Sequence, residues 1–318
     1  MFDIIGDIHG HYQPLVTLLE KLGYKKKQGI YQHPTRRVIF VGDLIDRGPQ
    51  QIEVYRLVRQ MVEFGSAQVV MGNHELNAVL WTIEDPKRSG HFLRPHTTAN
   101  FKQHEAFLNQ VVENSDCHQE IIAWFKTLPL WIETEQLRVI HACWLPEAIE
   151  MLRQLDIVDE NAKITNAKAW HQIGQKHSDA YQSVETLLKG IEFELPNGLS
   201  FVDKDGKKRT QARVKWWLSA EQKYLSQLAL AGSSFEGLTE DPVLDIPRYQ
   251  ACKPVFIGHY WLKGIPQILS SCVVCTDYSV AAPTHYAKLV AYRYHGETQL
   301  SNDHFVWVKA HPDVIDVS

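Results

Sequence analysis

The chain contains no apolar run approaching the ~20 residues needed to cross a bilayer, so no helical membrane span is expected. A secretory leader is not expected either, because the chain starts almost directly in a strand-like run carrying an acidic residue, Asp3, with no basic segment before it. Cysteine is scarce, with five in 318 residues. The odd count argues against a closed disulfide framework and for reduced thiols in a cytoplasmic setting. Cys272 and Cys275 have the spacing of a redox or zinc pair, but no second pair completes a zinc site. They also lie in an apolar run, where a free cysteine behaves as a small hydrophobe. Charge of one sign is not in excess: a net charge of −4 gives no reason to expect a stable nucleic-acid partner or broad binding to an anionic membrane. Low-complexity linkers are lacking as well, which favours a single domain over residues 1–318. Hydrophobic residues at 44% and charged residues at 22% are ordinary for a globular chain long enough to bury a sizeable core.

What is present is one local pattern used three times. Phe2-Asp3-Ile4-Ile5 leads into Gly6-Asp7-Ile8-His9-Gly10; Val38-Ile39-Phe40-Val41 leads into Gly42-Asp43-Leu44-Ile45-Asp46-Arg47-Gly48; Gln68-Val69-Val70-Met71 leads into Gly72-Asn73-His74-Glu75. Each is an apolar strand, a Gly turn, a set of polar side chains, and then a helical pattern. The first helix has Leu15, Leu18, Leu19 and Leu22 on one face and stops at Gly23. The second runs through Tyr55, Val58 and Met61 and stops at Gly65. Buried parallel strands read as continuous apolar runs, and ligands in open α/β sheets collect at their carboxyl ends. A β-α-β-α-β unit with right-handed crossovers would bring Asp7, His9, Asp43, Asp46, Arg47, Asn73 and His74 to one rim.

Later segments fit the same plan. Leu130 to Ile140 alternates around a polar turn and predicts a hairpin whose second strand delivers His141. Pro254-Val255-Phe256-Ile257 is another apolar strand and ends in Gly258-His259. Further strands are expected at Val273–Asp277, Lys288–Tyr294 and Phe305–Val308. His91, His96, His104 and His118 have no ligand spacing and read as surface or hydrogen-bonded histidines. Lys25-Lys26-Lys27 reads as solvated surface in a polar connection. Residues 145–251 form an insertion in which helical periodicity (Ile149, Leu152; Val184, Leu187, Leu188) gives way to the turn signals Pro196-Asn197-Gly198 and Asp205-Gly206. Next comes the basic-aromatic cluster Arg213-Val214-Lys215-Trp216-Trp217. That cluster reads either as a packed aromatic pair with solvated cations, or as the part of a cap whose Arg and Trp residues hold a phosphate and stack on a base.

The three blocks, in this order, resemble the signature motifs of the calcineurin-like metallophosphoesterases, in the phosphoprotein-phosphatase branch. In the opening, from Phe2 through Lys21-Leu22-Gly23-Tyr24 to Pro49, the chain is most similar to the bacterial bis(nucleosyl)-tetraphosphatase group. The resemblance covers Met1 to Leu80, with islands at His141 and His259. It implies an α/β fold of two mixed sheets packed as a sandwich between helices, with residues 145–251 as a capping insertion. It also implies two divalent transition-metal ions, manganese first, with iron, zinc or nickel as alternatives suited to mixed nitrogen and oxygen donors. Asp7, His9 and Asp43 would hold one ion, and Asp43, Asn73, His141 and His259 the other. His74 would be the general acid, oriented by Asp46, and Arg47 would bind the phosphoryl oxygens. Arg213 is the candidate, by position, for a second phosphate-binding guanidinium. The implied reaction is hydrolysis of a phosphate ester or anhydride by direct attack of metal-bound hydroxide, without a phosphoenzyme. A nucleotide or dinucleoside polyphosphate is the leading substrate, and release of nucleoside diphosphate would mark it. A phosphoprotein is second, because Leu76-Asn77-Ala78 stands where protein phosphatases carry an arginine. An inactive module that only binds metal or phosphate is the third reading; intact His74, Asp46 and Arg47 count against it.

Overall fold

The computed structural model describes residues 1–195, 200–202, 208–218, 229–230, 247–249 and 251–311. The first apolar run forms β1 (Phe2–Ile5). It is followed by α1 (Tyr12–Lys21), the hairpin strands β2 (Lys25–Lys27) and β3 (Ile30–Gln32), and β4 (Arg37–Phe40). Then come α2 (Gln51–Phe64), β5 (Ala67–Val69) and α3 (Asn73–Thr82). β1 pairs in parallel with β4, and β4 with β5. The three Gly turns therefore lie side by side at one end of the sheet, as the repeated pattern requires. Amphipathic spacing explains the helices: α1 buries Leu15, Leu18 and Leu19, and α2 buries Val54, Tyr55, Leu57, Val58 and Met61. α2 begins at Gln51, after Pro49, and ends at Gly65, whose φ of 83° is the left-handed conformation suited to a helix stop. The polar connection after Gly23 is itself a small hairpin with all three lysines exposed.

The next segment is helical, α4 (Thr98–Val111) and α5 (Asp116–Phe125). Each is opened by a hydroxyl that accepts from the third residue on, Thr97 from Asn100 N and Ser115 from His118 N. The predicted hairpin is β6 (Trp131–Glu133) and β7 (Arg138–Ile140). The insertion supplies α6 (Pro146–Gln154), α7 (Ala167–Gly174) and α8 (Asp179–Lys189), then short strands β8 (Glu192–Glu194), β9 (Phe201–Val202), β10 (Lys208–Arg209), β11 (Gln211–Val214) and β12 (Ala229–Leu230). The expected turns at 196–198 and 205–206 lie outside the described residues. The chain returns through β13 (Val255–Ile257), β14 (Val273–Cys275), β15 (Asp277–Tyr278), β16 (Lys288–Tyr294) and β17 (Phe305–Lys309).

Two mixed sheets result. One has the order β15-β16-β1-β4-β5, with β17 on β16; the other is β14-β13-β7-β6. Between them, Ile4, Ile39, Val41, Val290 and Tyr292 from the first sheet meet Val139, Phe256 and Val274 from the second. Phe256 lies 5.4 Å from both the Tyr292 and Tyr294 rings. The outer faces pack on the helices in a second, larger apolar cluster. This is the sandwich flanked by helices that the resemblance implies. The start of β1 is anchored by charge. Asp3 is fully buried and accepts from Arg36 Nε at 2.9 Å and from the Tyr24 hydroxyl at 3.0 Å, with Arg293 Nε 3.3 Å from its other oxygen.

In the insertion, Trp216 and Trp217 are 1% and 4% exposed, with ring centroids 5.7 Å apart. Trp216 Nε1 donates to Ala142 O and to the Tyr260 hydroxyl, so it braces the turns that follow β7 and β13. The packed-pair reading of these tryptophans is therefore the correct one, and base stacking on them is excluded by their burial. No helix among the described residues is long and apolar enough to cross a membrane.

Candidate active site

Five loops meet at the carboxyl ends of β1, β4, β5, β7 and β13. The residues there adopt backbone conformations that side-chain-bearing residues seldom take: φ is 47° at His9, 51° at Asp43, 69° at Asp46, 71° at Arg47 and 71° at His259. Positive φ at such residues persists only where the surroundings over-determine it, and it concentrates at functional sites. Here the surroundings are hydrogen bonds between loops. Ile8 N and His9 N both donate to Asp43 O, and Gly10 N donates to Leu44 O, locking the first turn to the second. Glu75 locks the second to the third: its carboxylate accepts from Asp43 N and Leu44 N at 2.8 Å and from Gly72 N at 2.9 Å.

The side chains converge on one oxygen. Asp43 Oδ2 lies 3.3 Å from His141 Nε2, 3.7 Å from His9 Nε2 and 3.8 Å from His74 Nε2, while Oδ1 accepts from His74 N at 2.9 Å. Two of these imidazoles have their tautomer set from behind. His9 Nδ1 donates to Ile45 O at 2.9 Å and His141 Nδ1 to Val41 O at 2.7 Å. The Nε2 lone pairs of both rings then face a carboxylate, which is repulsive unless a cation lies between them. Asn73 Oδ1 is 3.2 Å from His141 Nε2, and the His141 and His259 rings are 5.2 Å apart. Two groups, His9–Asp43–His74 and Asp43–His141–His259, have donor atoms within 4.8 Å of one another, with Asp43 common to both. His9 Nε2 and His259 Nε2 are buried and have no hydrogen-bond partner. Buried orphan nitrogens facing shared carboxylate oxygen are donors that could hold a metal ion. Asp7, expected beside His9 and Asp43, stands outside both groups, because its two oxygens accept from His259 N at 3.2 and 3.1 Å.

The electrostatics point the same way. Burial, with the negative charges of Asp277 and Asp43 nearby, pushes the Asp7 carboxyl well above the usual range. Burial and the neighbouring His74 lower His9, and burial together with the charge of Arg213 lowers His259. Both rings are thus held neutral, the form that binds metal. Burial alone would lower His141, but the Asp43 carboxylate outweighs it and raises the ring. Burial also opposes ionisation of Asp43, and His141 and His74 overcome it and hold the carboxyl well down. Burial and Asp43 push Glu75 up to about 7. A bound cation would relieve this crowding of negative charge.

Arg47 is exposed at the rim, its guanidinium stacked 4.7 Å from the centroid of the Trp261 ring. Arg213 lies on β11 with Nε 3.5 Å from Glu192 Oε1. His74 Nδ1 is 2.5 Å from Asp46 Oδ2, the pairing expected of an oriented acid. Of the four histidines without ligand spacing, His91 is exposed, His96 bonds Trp81 O, and His118 accepts from Asn114 N. His104 is different: it is buried, with Nδ1 2.8 Å from Asp46 Oδ1.

Sequence reasoning missed four contributors. In the sequence Glu75 is only the end of a motif. Asp277 is buried and accepts from Trp261 N and Ser279 N, fixing the loop that carries His259. Trp261 supports Arg47. Arg94, half-buried, donates to Gln103 Oε1; burial lowers it, against the charge of Asp46. A third group of metal-type side chains, His295, Glu297 and His304, sits at the far end of the sheet. Glu297 accepts there from His295 N, His304 Nδ1 and the Tyr292 hydroxyl, so this group already closes the β16–β17 connection by hydrogen bonds.

The profile of the calcineurin-like phosphoesterases matches residues 1–189, and the chain belongs to that family. Among curated relatives, the bis(5'-nucleosyl)-tetraphosphatase PrpE [asymmetrical] of Halalkalibacterium halodurans is 57% identical over 148 residues, covering 44% of this chain and 56% of that protein. The protein of the same name from Bacillus subtilis is 36% identical over 146 residues, covering 44% of this chain and 57% of its own. The chain thus spans about half the length of the curated relatives it matches. A solved protein serine/threonine phosphatase from Saccharomyces cerevisiae aligns over 96% of this chain and 78% of its own, with a TM-score of 0.48 and 13% identity.

Proposed function

We propose that the chain is a cytoplasmic hydrolase that cleaves phosphoanhydrides of a nucleotide or dinucleoside polyphosphate with two divalent cations, manganese foremost, in its rim. The observation that carries this reading is the meeting of three imidazole nitrogens on Asp43 Oδ2 at 3.3–3.8 Å, with His74 tied from behind to Asp46. Asp7, His9 and Asp43 would hold one cation, and Asp43, Asn73, His141 and His259 the other; Asp7 would turn one oxygen from His259 N to do so. Bound there, the pair would supply Lewis acidity and a water-derived nucleophile near neutral pH.

The remaining steps belong to side chains. Arg47 draws the phosphoryl oxygens to the rim by charge-assisted hydrogen bonds, its guanidinium oriented by the Trp261 ring beneath it. Arg213, whose charge reaches His259, is the second guanidinium. His74 gives its Nε2 proton to the oxygen of the departing group, and Asp46 stabilises the imidazolium through Nδ1. Residues 145–251 act as a cap on the same domain, a role supported by the bracing of Trp216 against Ala142 and Tyr260.

The relatives' name favours unequal products, so a nucleoside monophosphate and triphosphate are expected from a dinucleoside tetraphosphate, in place of the two diphosphates that symmetric cleavage would give. Chromatography of the products after reconstitution with Mn2+ tests this, with a phosphopeptide run in parallel. Faster phosphate release from the peptide would move the chain to the protein phosphatases. His74→Asn that leaves turnover of p-nitrophenyl phosphate and of the tetraphosphate unchanged would instead favour a module without catalysis.

A further inference from the structure

We infer that His104 is a positioning residue for catalysis, holding Asp46 so that the carboxylate aims the His74 imidazole at the leaving group. This rests on the reading of His74 as general acid. Asp46 is 2% exposed and is gripped on both oxygens by an imidazole: Oδ2 by His74 Nδ1 and Oδ1 by His104 Nδ1. Its backbone is held as well, with Asp46 N donating to Gln51 Oε1 at 2.8 Å, and its φ of 69° leaves little freedom for the loop to settle elsewhere. A carboxylate with one free oxygen can rotate about χ2 and carry the attached imidazole with it. The second bond removes that rotation.

The remainder of the His104 ring serves no hydrogen bonding. Its Nε2 is buried without a partner, and its faces lie against Phe107 at 4.9 Å and Trp81 at 5.8 Å. An unmet buried nitrogen is costly, so a role in packing alone would be better served by an apolar ring. The bond to ionised Asp46 offsets that cost and is the one polar task open to the residue. Trp81 stands on α3, the helix that begins at Asn73 and His74, and His104 on α4. His104 thereby couples the setting of α4 to the aim of the acid.

The test separates aim from stability by varying the leaving group. Protonation matters for a poor leaving group and little for a good one. In the metal-reconstituted full chain, His104→Phe should lower kcat on phenyl phosphate by about 10- to 100-fold. It should leave 2,4-dinitrophenyl phosphate within about twofold and KM nearly unchanged. His104→Asn, whose amide occupies the place of Nδ1, should recover most of the loss. Should the phenylalanine variant not fold, His104→Gln, whose amide falls at Nε2, takes its place with the same expected discrimination. An equal fall on both esters, a change confined to KM, or no change overturns the inference. His74→Asn run beside it shows where a failure lies. If it discriminates between the esters and His104→Phe does not, only the positioning role is wrong; if it does not discriminate, the acid reading falls and the role of His104 with it.

Discussion

Gly258 separates β13 from His259, and its missing side chain protects the place of Asp7. A Cβ built there would lie 2.1 Å from Asp7 Oδ1 and 2.7 Å from Val41 Cγ2, where ordinary contact begins at 3.4 Å. The oxygen would have to retreat by about 1.3 Å (3.4 less 2.1). Metal–ligand distances tolerate only about 0.2 Å. The strand cannot yield instead, because Val255, Phe256 and Ile257 are fully buried between parallel neighbours. Gly258→Ala should therefore turn the Asp7 carboxylate away from the rim and from His259 N. Overpacking of this kind costs about 1–3 kcal/mol of stability, and affinity for one of the two proposed cations should fall by about 10- to 100-fold. Calorimetric titration with Mn2+ and metal content per chain measure the second effect, and urea unfolding of the metal-free protein the first. Gly65→Ala is the control: its φ is 83° with nothing within 4 Å, so it should cost about 1–2 kcal/mol in conformational strain and leave metal binding intact. Undiminished cation affinity in Gly258→Ala, with the protein folded, would refute the assignment of Asp7 to the rim.

Two further outcomes follow from other buried groups. Asp3→Ala leaves the Arg36 guanidinium, 5% exposed, without its carboxylate and should destabilise the fold by about 3–5 kcal/mol. Urea midpoints check this, and a loss under 1 kcal/mol would mean that the carbonyls of Phe2 and Tyr294, which accept from Arg36, suffice to hold it. Burial pushes the Cys143 and Cys275 thiols well up, while Cys252 is exposed. A chromogenic disulfide at pH 8 should thus react with Cys252 in a fast phase and reach Cys143 and Cys275 only on unfolding. A single rate for all five thiols would contradict the burial.

The local elements could be read from the chain because their causes are local. An apolar run, a Gly turn and an amphipathic helix are each specified within about a dozen neighbouring residues, so β1, β4, β5 and β13 and their loops follow from short-range pattern. The same pattern sets the proposed site residues Asp7, His9, Asp43, Asp46, Arg47, Asn73, His74, His141 and His259 in the loops that follow those strands and β7. What the pattern cannot hold is partnership across the chain. His104 lies 58 positions from Asp46, and on α4 it occupies a buried face among Phe107, Leu108 and Val111, where an isolated histidine looks like any other core residue. Asp277 finds Trp261 only after two sheets have closed on each other, and Arg36 finds Asp3 only once β4 has paired beside β1. The tryptophans at 216 and 217 show the same dependence, since aromatic rings beside cations read equally as a packed pair or a ligand site until their burial is known. Residue type and spacing determine which groups are available for chemistry. Only packing decides which buried donors and acceptors must satisfy one another, because desolvation forces partners together wherever the fold happens to bring them.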